Sequence, residues 1–224
     1  MYIKHVTLTL AAVALSTVAF AQSVTNVRTS PTDAFQITYA SNLNVGDSYL
    51  NFTNSGATTT SSCDSDGTFC GNAPGIGVSQ NLCINLYTFD PQEELISCCT
   101  CSVTPNGLVS LSVVKSLISN PLTPAIPTAV VVKAVASISG TCNASQIGVP
   151  AHGLLAWATT LHQNTSTAAV SYSPTETPFS QASLSGAEFT HLTSTCGFIQ
   201  SDGSGFGICK GCSAGGLGAG TSVR

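Results

Sequence analysis

Residues 128–137 read TAVVVKAVAS, the most continuous apolar run downstream of residue 21. The wider segment 125–138 is broken by Pro127 and carries Lys133, so it does not read as a membrane span. A short apolar run of this kind belongs inside a sheet, and it predicts a central strand. Period-two stretches lie on both sides of it, at 24–29, 35–39, 48–53, 82–89, 108–113, 153–161 and 168–172. They are rich in Val, Ile, Thr, Tyr and Phe and are bounded by Gly, Pro, Asn and Ser clusters. About eight strands without long helices between them predict a mainly β chain, an antiparallel β-sandwich with a barrel as the alternative. Segment 153–161, GLLAWATTL, holds the only tryptophan, Trp157, which is expected in the core.

Helical signals are few. Ser185-Gly-Ala-Glu188 is a capping box, and Phe189, Leu192, Cys196 and Ile199 follow at spacings of three, four and three. They predict a helix over about 186–200, ended by the glycine-rich SDGSGFG. Asp90, Pro91 and Glu93 fit the start of a helix of a turn or two. A further helical turn is expected within 113–119, before Asn120-Pro121.

Only 7% of the 224 residues are charged, six Lys or Arg and ten Asp or Glu, whereas 30 Ser and 28 Thr supply hydroxyls. With so few cations there is no basic stripe to neutralise phosphates, which excludes nucleic acid as a partner. A coiled coil with charged flanks is excluded as well. The 43% hydrophobic content argues against wholesale disorder.

The N-terminus MYIKHVTLTLAAVALSTVAFAQ has a short basic region at Lys4, an apolar run over 6–20, and Ala19 and Ala21 around Phe20 in an A-x-A cleavage pattern. Residues 1–21 are therefore expected to be a signal peptide, 22–212 a single β-rich disulfide-linked domain, and 213–224 a flexible Gly-rich tail. The chain is expected to be exported, to the extracellular space, the cell surface or the periplasm, with no membrane span after cleavage.

Ten cysteines, Cys63, Cys70, Cys83, Cys98, Cys99, Cys101, Cys142, Cys196, Cys209 and Cys212, all follow the cleavage pattern. An even number in an exported chain reads as a disulfide framework, with the connectivity left open. Cys63 and Cys70 bracket a short turn-rich loop. The neighbours Cys98 and Cys99 each point to a distant partner. If 98–101 is a strand, Cys99 and Cys101 share one face and Cys98 takes the other. Two thiols there and the Cys209-Lys-Gly-Cys212 pair would alternatively supply a tetrahedral zinc site with four thiolate ligands. Without a thioredoxin-like βαβ context, a redox role for that pair has little support.

Other chemistry is sparse. Asp64-Ser-Asp66-Gly67 resembles the opening of a calcium loop but lacks its later ligands, and reads as a polar turn. His152, His162 and His191 come with neither a G-x-S-x-G elbow nor H-E-x-x-H. His191 lies three residues after Glu188, a helix-stabilising spacing. Glu93 and Glu94 are adjacent and make no separated acid–base pair. Asn51, Asn143 and Asn164 match the glycosylation pattern and mark exposed loops.

The stretch YTFDPQEELISCCTCSVTPNGLVSLS (87–112), then NPLTPAIPT (120–128), LLAWATTLH (154–162) and CGFIQSDGSGFGICKGC (196–212), resembles a family of small exported Cys-rich bacterial proteins. The resemblance covers roughly 81–212. It implies export and a shared cysteine framework, and brings no activity, ligand or catalytic residue. The expected function is therefore that of an exported structural, surface-associated or adhesive protein without catalysis or a cofactor. Its expected contacts are self-association through sheet edges or binding to cell-surface polymers. The alternative is a small-ligand or metal-binding module built on Cys98–Cys101 and Cys209–Cys212; a secreted hydrolase comes third.

Overall fold

The computed structural model describes residues 33–56, 62–63, 70–71, 81–138, 141–165 and 169–210. Twelve strands and one helix follow in chain order: β1 (Phe35–Ala40), β2 (Ser48–Asn54), β3 (Ser62–Cys63), β4 (Cys70–Gly71), β5 (Leu82–Phe89), β6 (Leu95–Val103), β7 (Leu108–Ser112), β8 (Val130–Ile138), β9 (Val149–Pro150), β10 (Leu154–Asn164), β11 (Ser171–Pro178), β12 (Ser180–Gln181) and α1 (Gly186–Ser201). One sheet has the order β12-β1-β8-β5-β6 with β9 beside β8, and a second has the order β11-β10-β2-β7. Every pairing within them is antiparallel. The result is the expected sandwich and not a closed barrel. The predicted strand at 24–29, the calcium-like loop and the tail lie outside the described residues.

TAVVVKAVAS becomes β8 and is central, paired with β1 on one side and with β5 on the other. Its two faces have different neighbours. Val130, Val132, Ala134 and Ala136 enter the core between the sheets, where they meet Leu50 and Phe52 of β2 and Leu154, Ala156 and Ala158 of β10. Val135 faces the other way, into a second core under α1 with Tyr87, Leu192, Cys196 and Ile199. The molecule is thus three layers, α1 on one sheet on the other. The centre of the middle layer is packed on both faces, which is why β8 reads as a continuous apolar run.

Among the described residues the bridges Cys83–Cys142, Cys98–Cys196 and Cys99–Cys209 are formed. Cys101 is disulfide-bonded too. As the strand parity implied, the neighbours part company: Cys98 faces α1 and Cys99 faces the inter-sheet core. Cys63 and Cys70 stand opposite each other in the β3–β4 ladder. The edge of β6 is covered, since Cys98 N–H donates to Gly207 O at 2.9 Å and Leu122 N–H donates to Ile96 O at 2.8 Å. Gly207 has φ +74°, and a Cβ there would stand 2.7 Å from Ile199 Cγ2, so glycine is needed for this return path.

Helix α1 begins as read, with Ser185 Oγ accepting from Glu188 N–H at 3.1 Å. Leu192, Cys196 and Ile199 are its buried stripe. Asp90-Pro91 does not start a helix. Glu93 N–H donates to Asp90 O at 3.1 Å, and Asp90 Oδ1 accepts from Gln92 N–H and Glu94 N–H, closing the β5–β6 hairpin. Asp followed by Pro suits the first two positions of a β-turn as well as it suits a helix start, and the strand pairing decides for the turn. The expected helical turn before Asn120 is a single π-helical turn, Val113–Leu117.

Asp47 holds that turn in place. Its carboxylate accepts from Ser112 Oγ at 2.5 Å, from Val114 N–H at 3.1 Å and from Ser48 N–H at 2.8 Å. Asp47→Ala is expected to lower unfolding free energy by about 2 kcal/mol, because it removes a cap and leaves donors unpaired. A loss below about 0.5 kcal/mol in urea denaturation would show that water replaces the carboxylate at no cost.

Candidate functional site

Two surfaces gather chemistry, and each follows from the layering. The first is a cleft of about 310 Å³ at the edge of α1, lined by Phe89, Asp90, Glu93, Val131, Lys133, Glu188 and His191. Lys133 is on the helix-facing side of β8, where an uncompensated ammonium would be costly. It is paired instead: Nζ lies 2.5 Å from Glu188 Oε1 and 4.6 Å from the centroid of the Phe89 ring. His191 stacks on the same ring at 6.2 Å. The carboxylate of Glu188 therefore serves the sheet, and the expected Glu188–His191 contact gives way to His191 on Phe89. A lysine with both a carboxylate and a ring is tied into the packing of α1, and the cleft reads as a structural clamp.

The second surface is the outer face of the four-stranded sheet, which no helix among the described residues covers. Here the sequence expectation for Trp157 fails. In GLLAWATTL the inward positions are Leu154, Ala156 and Ala158, and the outward ones are Leu155 and Trp157, which is 37% exposed. Cross-strand partners share a face, so Trp157 stands in one row with Asn51, Ser110 and Pro178. The next row holds Tyr49, Thr159 and Glu176, and farther along Gln163 stands opposite Tyr172, which is 45% exposed. Polar groups between the rings are oriented: Ser110 Oγ donates to Asn51 Oδ1 at 2.8 Å, and Asn51 Nδ2 donates to Thr159 Oγ1 at 3.0 Å. Asn51 lies in β2, as the period-two stretch 48–53 predicts, and not on the exposed loop that its glycosylation pattern would mark.

Strand β11 was not legible because Pro174 and Pro178 argue against a strand. Both are tolerated because β11 is an edge. Leu161 N–H donates to Asp47 O on the β2 side and Phe179 N–H donates to Ala156 O, which places the positions of Pro174 and Pro178 on the free side of β11. Two of the four outward donor positions from Tyr172 to Pro178 are therefore missing. This edge is blunted against pairing with another strand, which counts against edge-to-edge self-association through β11.

The remaining sequence candidates are dispersed. His152 Nδ1 contacts Asp33 Oδ1, whose carboxylate also accepts from Gly153 N–H. The sulfurs of Cys98, Cys99, Cys101 and Cys209 are in disulfides and are not thiolates poised for zinc. No cluster of three or more His, Cys, Asp or Glu with metal-binding geometry occurs among the described residues. Tyr87 is fully buried under the loop after β8, its hydroxyl donating to Ala144 O at 2.5 Å. Burial pushes its phenol far above the usual tyrosine range. The folded state keeps a proton that the unfolded state releases above about pH 10, so stability is complete below that pH and falls as pH rises beyond it. Denaturation midpoints at pH 9 and 11 should drop more in the parent than in Tyr87→Phe; equal drops would remove Tyr87 as the cause.

Comparison with family models, curated proteins and solved structures finds no match to this chain.

Proposed function

We propose that this is an exported, surface-associated or adhesive protein that binds a cell-surface polymer and performs no catalysis. The observation that carries this reading is the outer face of the four-stranded sheet, exposed among the described residues, where the aromatic side chains of Trp157, Tyr49 and Tyr172 and the exposed Leu108 and Leu155 are interspersed with amides and hydroxyls. A sheet face with nothing packed on it is normally polar, and large exposed rings there are suited to contact. Export is supported by the signal-like N-terminus, by the disulfides and by the resemblance to small exported Cys-rich proteins. No helix among the described residues is long and apolar enough to cross a membrane. Binding is tested by incubating the purified chain with whole cells, isolated envelopes and extracellular matrix, followed by pull-down and size exclusion. Retention on one of these surfaces is the expected result. A strictly monomeric protein that stays in every supernatant would overturn the proposal.

A further inference from the structure

We infer that the outer face of the four-stranded sheet binds an uncharged polysaccharide, with Trp157, Tyr49 and Tyr172 as its ring contacts. The inference rests on the polymer-binding reading above and names the polymer's chemistry. Three properties of the face select that class.

The first is the spacing of the rings. Tyr49 is the diagonal neighbour of Trp157, because Tyr49 pairs with Thr159 and Trp157 pairs with Asn51. Such neighbours stand about 7–8 Å apart. Tyr172 is opposite Gln163, six residues along β10 from Trp157, or about 20 Å. The rings thus define an elongated track rather than a pocket, which suits a chain ligand. An aromatic face is electron-rich, and the C–H groups on the flat side of a pyranose carry small positive partial charges that meet it favourably.

Secondly, hydrogen-bonding groups lie between the rings. Asn51 is held between Ser110 and Thr159. A primary amide has two donor hydrogens and two acceptor lone pairs, and a hydroxyl both donates and accepts. Asn51, Ser110 and Thr159 therefore keep capacity for sugar hydroxyls while their orientations are already fixed. An apolar protein partner would bury that capacity unpaired, at a cost.

The third property is charge. Glu176 is the one ionised side chain in the paired rows of this face, and the chain as a whole has net charge −4. With no Lys, Arg or His in those rows there is nothing to attract phosphate, sulfate or uronate groups, and an anionic polymer is repelled. The face is complementary to a neutral polymer of hydroxyls.

Trp157 is the only tryptophan in the chain, so tryptophan emission reports on this face alone. The full chain is tested for retention on insoluble cellulose, chitin, starch and β-1,3-glucan, with alginate-coated beads as the anionic comparison. Soluble oligosaccharides of any polymer that retains it are then titrated against Trp emission. The expected result is retention on at least one neutral polymer, no retention on alginate, and a saturable change in emission. Asn51→Ala, and Trp157→Ala measured by retention, should each weaken binding at least tenfold, whereas His191→Ala in the cleft should not. Circular dichroism and an unchanged melting temperature establish that the variants are folded. Preferential binding to alginate, or neutral-polymer binding that Trp157→Ala and Asn51→Ala leave intact, would overturn the inference. Retention on cells with none on any neutral glycan would overturn it too while sparing the wider proposal. Failure to bind any surface would overturn both.

Discussion

Opening the Cys83–Cys142 bridge with the paired substitution Cys83→Ala and Cys142→Ala is expected to cost about 4 kcal/mol, more than opening the Cys98–Cys196 bridge. Separation along the sequence suggests the opposite order, since the first bridge spans 59 residues and the second 98. A disulfide stabilises chiefly by restricting the unfolded chain, and what matters is the loop it closes when the other bridges are intact. With Cys99–Cys209 in place, residues 98 and 196 are already joined by a path of about fifteen residues, through the neighbour Cys99 and back along 196–209. Closing a loop of that size contributes about 3 kcal/mol. No described bridge shortens the path between 83 and 142 in this way, so that loop keeps a length near 60 residues and its contribution of about 4 kcal/mol. Against a typical stability of about 5–15 kcal/mol either loss is large. Guanidinium denaturation of the two paired variants checks the order. If the Cys98–Cys196 variant proves the weaker by more than about 1 kcal/mol, local packing of α1 outweighs chain entropy.

The sandwich was legible because its strands are short period-two or apolar runs bounded by turn residues, with no long helix between them. Residues 82–89 read as a period-two strand at the bounds of β5, yet every position is buried, so the period located the strand without showing that both its faces are covered. Residues 48–53 alternate, and β2 alternates in burial. What sequence could not show was which sheet each strand joins, because partners such as β2 and β10 are about a hundred residues apart. Strand β6 was obscured for another reason. Its run LISCCTCSV invites a reading by cysteine chemistry, and only the parity of Cys98 against Cys99 and Cys101 hinted at an extended backbone. Trp157 misled through size. In β10 the small alanines face inward, opposite the bulky Phe52 of β2, and the tryptophan faces out, so hydrophobicity alone assigns the wrong side. The candidate binding face was hidden with it, since the rings of that face come from three strands that only the register brings together.

That register makes its own demand on stability. Phe52→Ala is expected to lose about 3–5 kcal/mol, whereas Leu155→Ala, on the neighbouring strand with opposite parity, should lose less than about 1 kcal/mol. Phe52 is fully buried between the sheets and packs edge-on against Phe179, with ring centroids 5.4 Å apart and an interplanar angle of 73°. Its truncation leaves a void that Ala156 directly opposite is too small to fill, and deprives Phe179 of its ring partner. Leu155 is 43% exposed on the outer face, so its truncation removes little buried surface. The comparison is sharper than either value alone. A slip of one residue that turned β2 over would move Phe52 to solvent and make its loss as small as that of Leu155. Urea denaturation of both variants with an unchanged m-value measures the difference. A loss for Phe52→Ala no larger than that for Leu155→Ala would refute the register, and with it the alignment of Tyr49, Asn51 and Trp157 on one face.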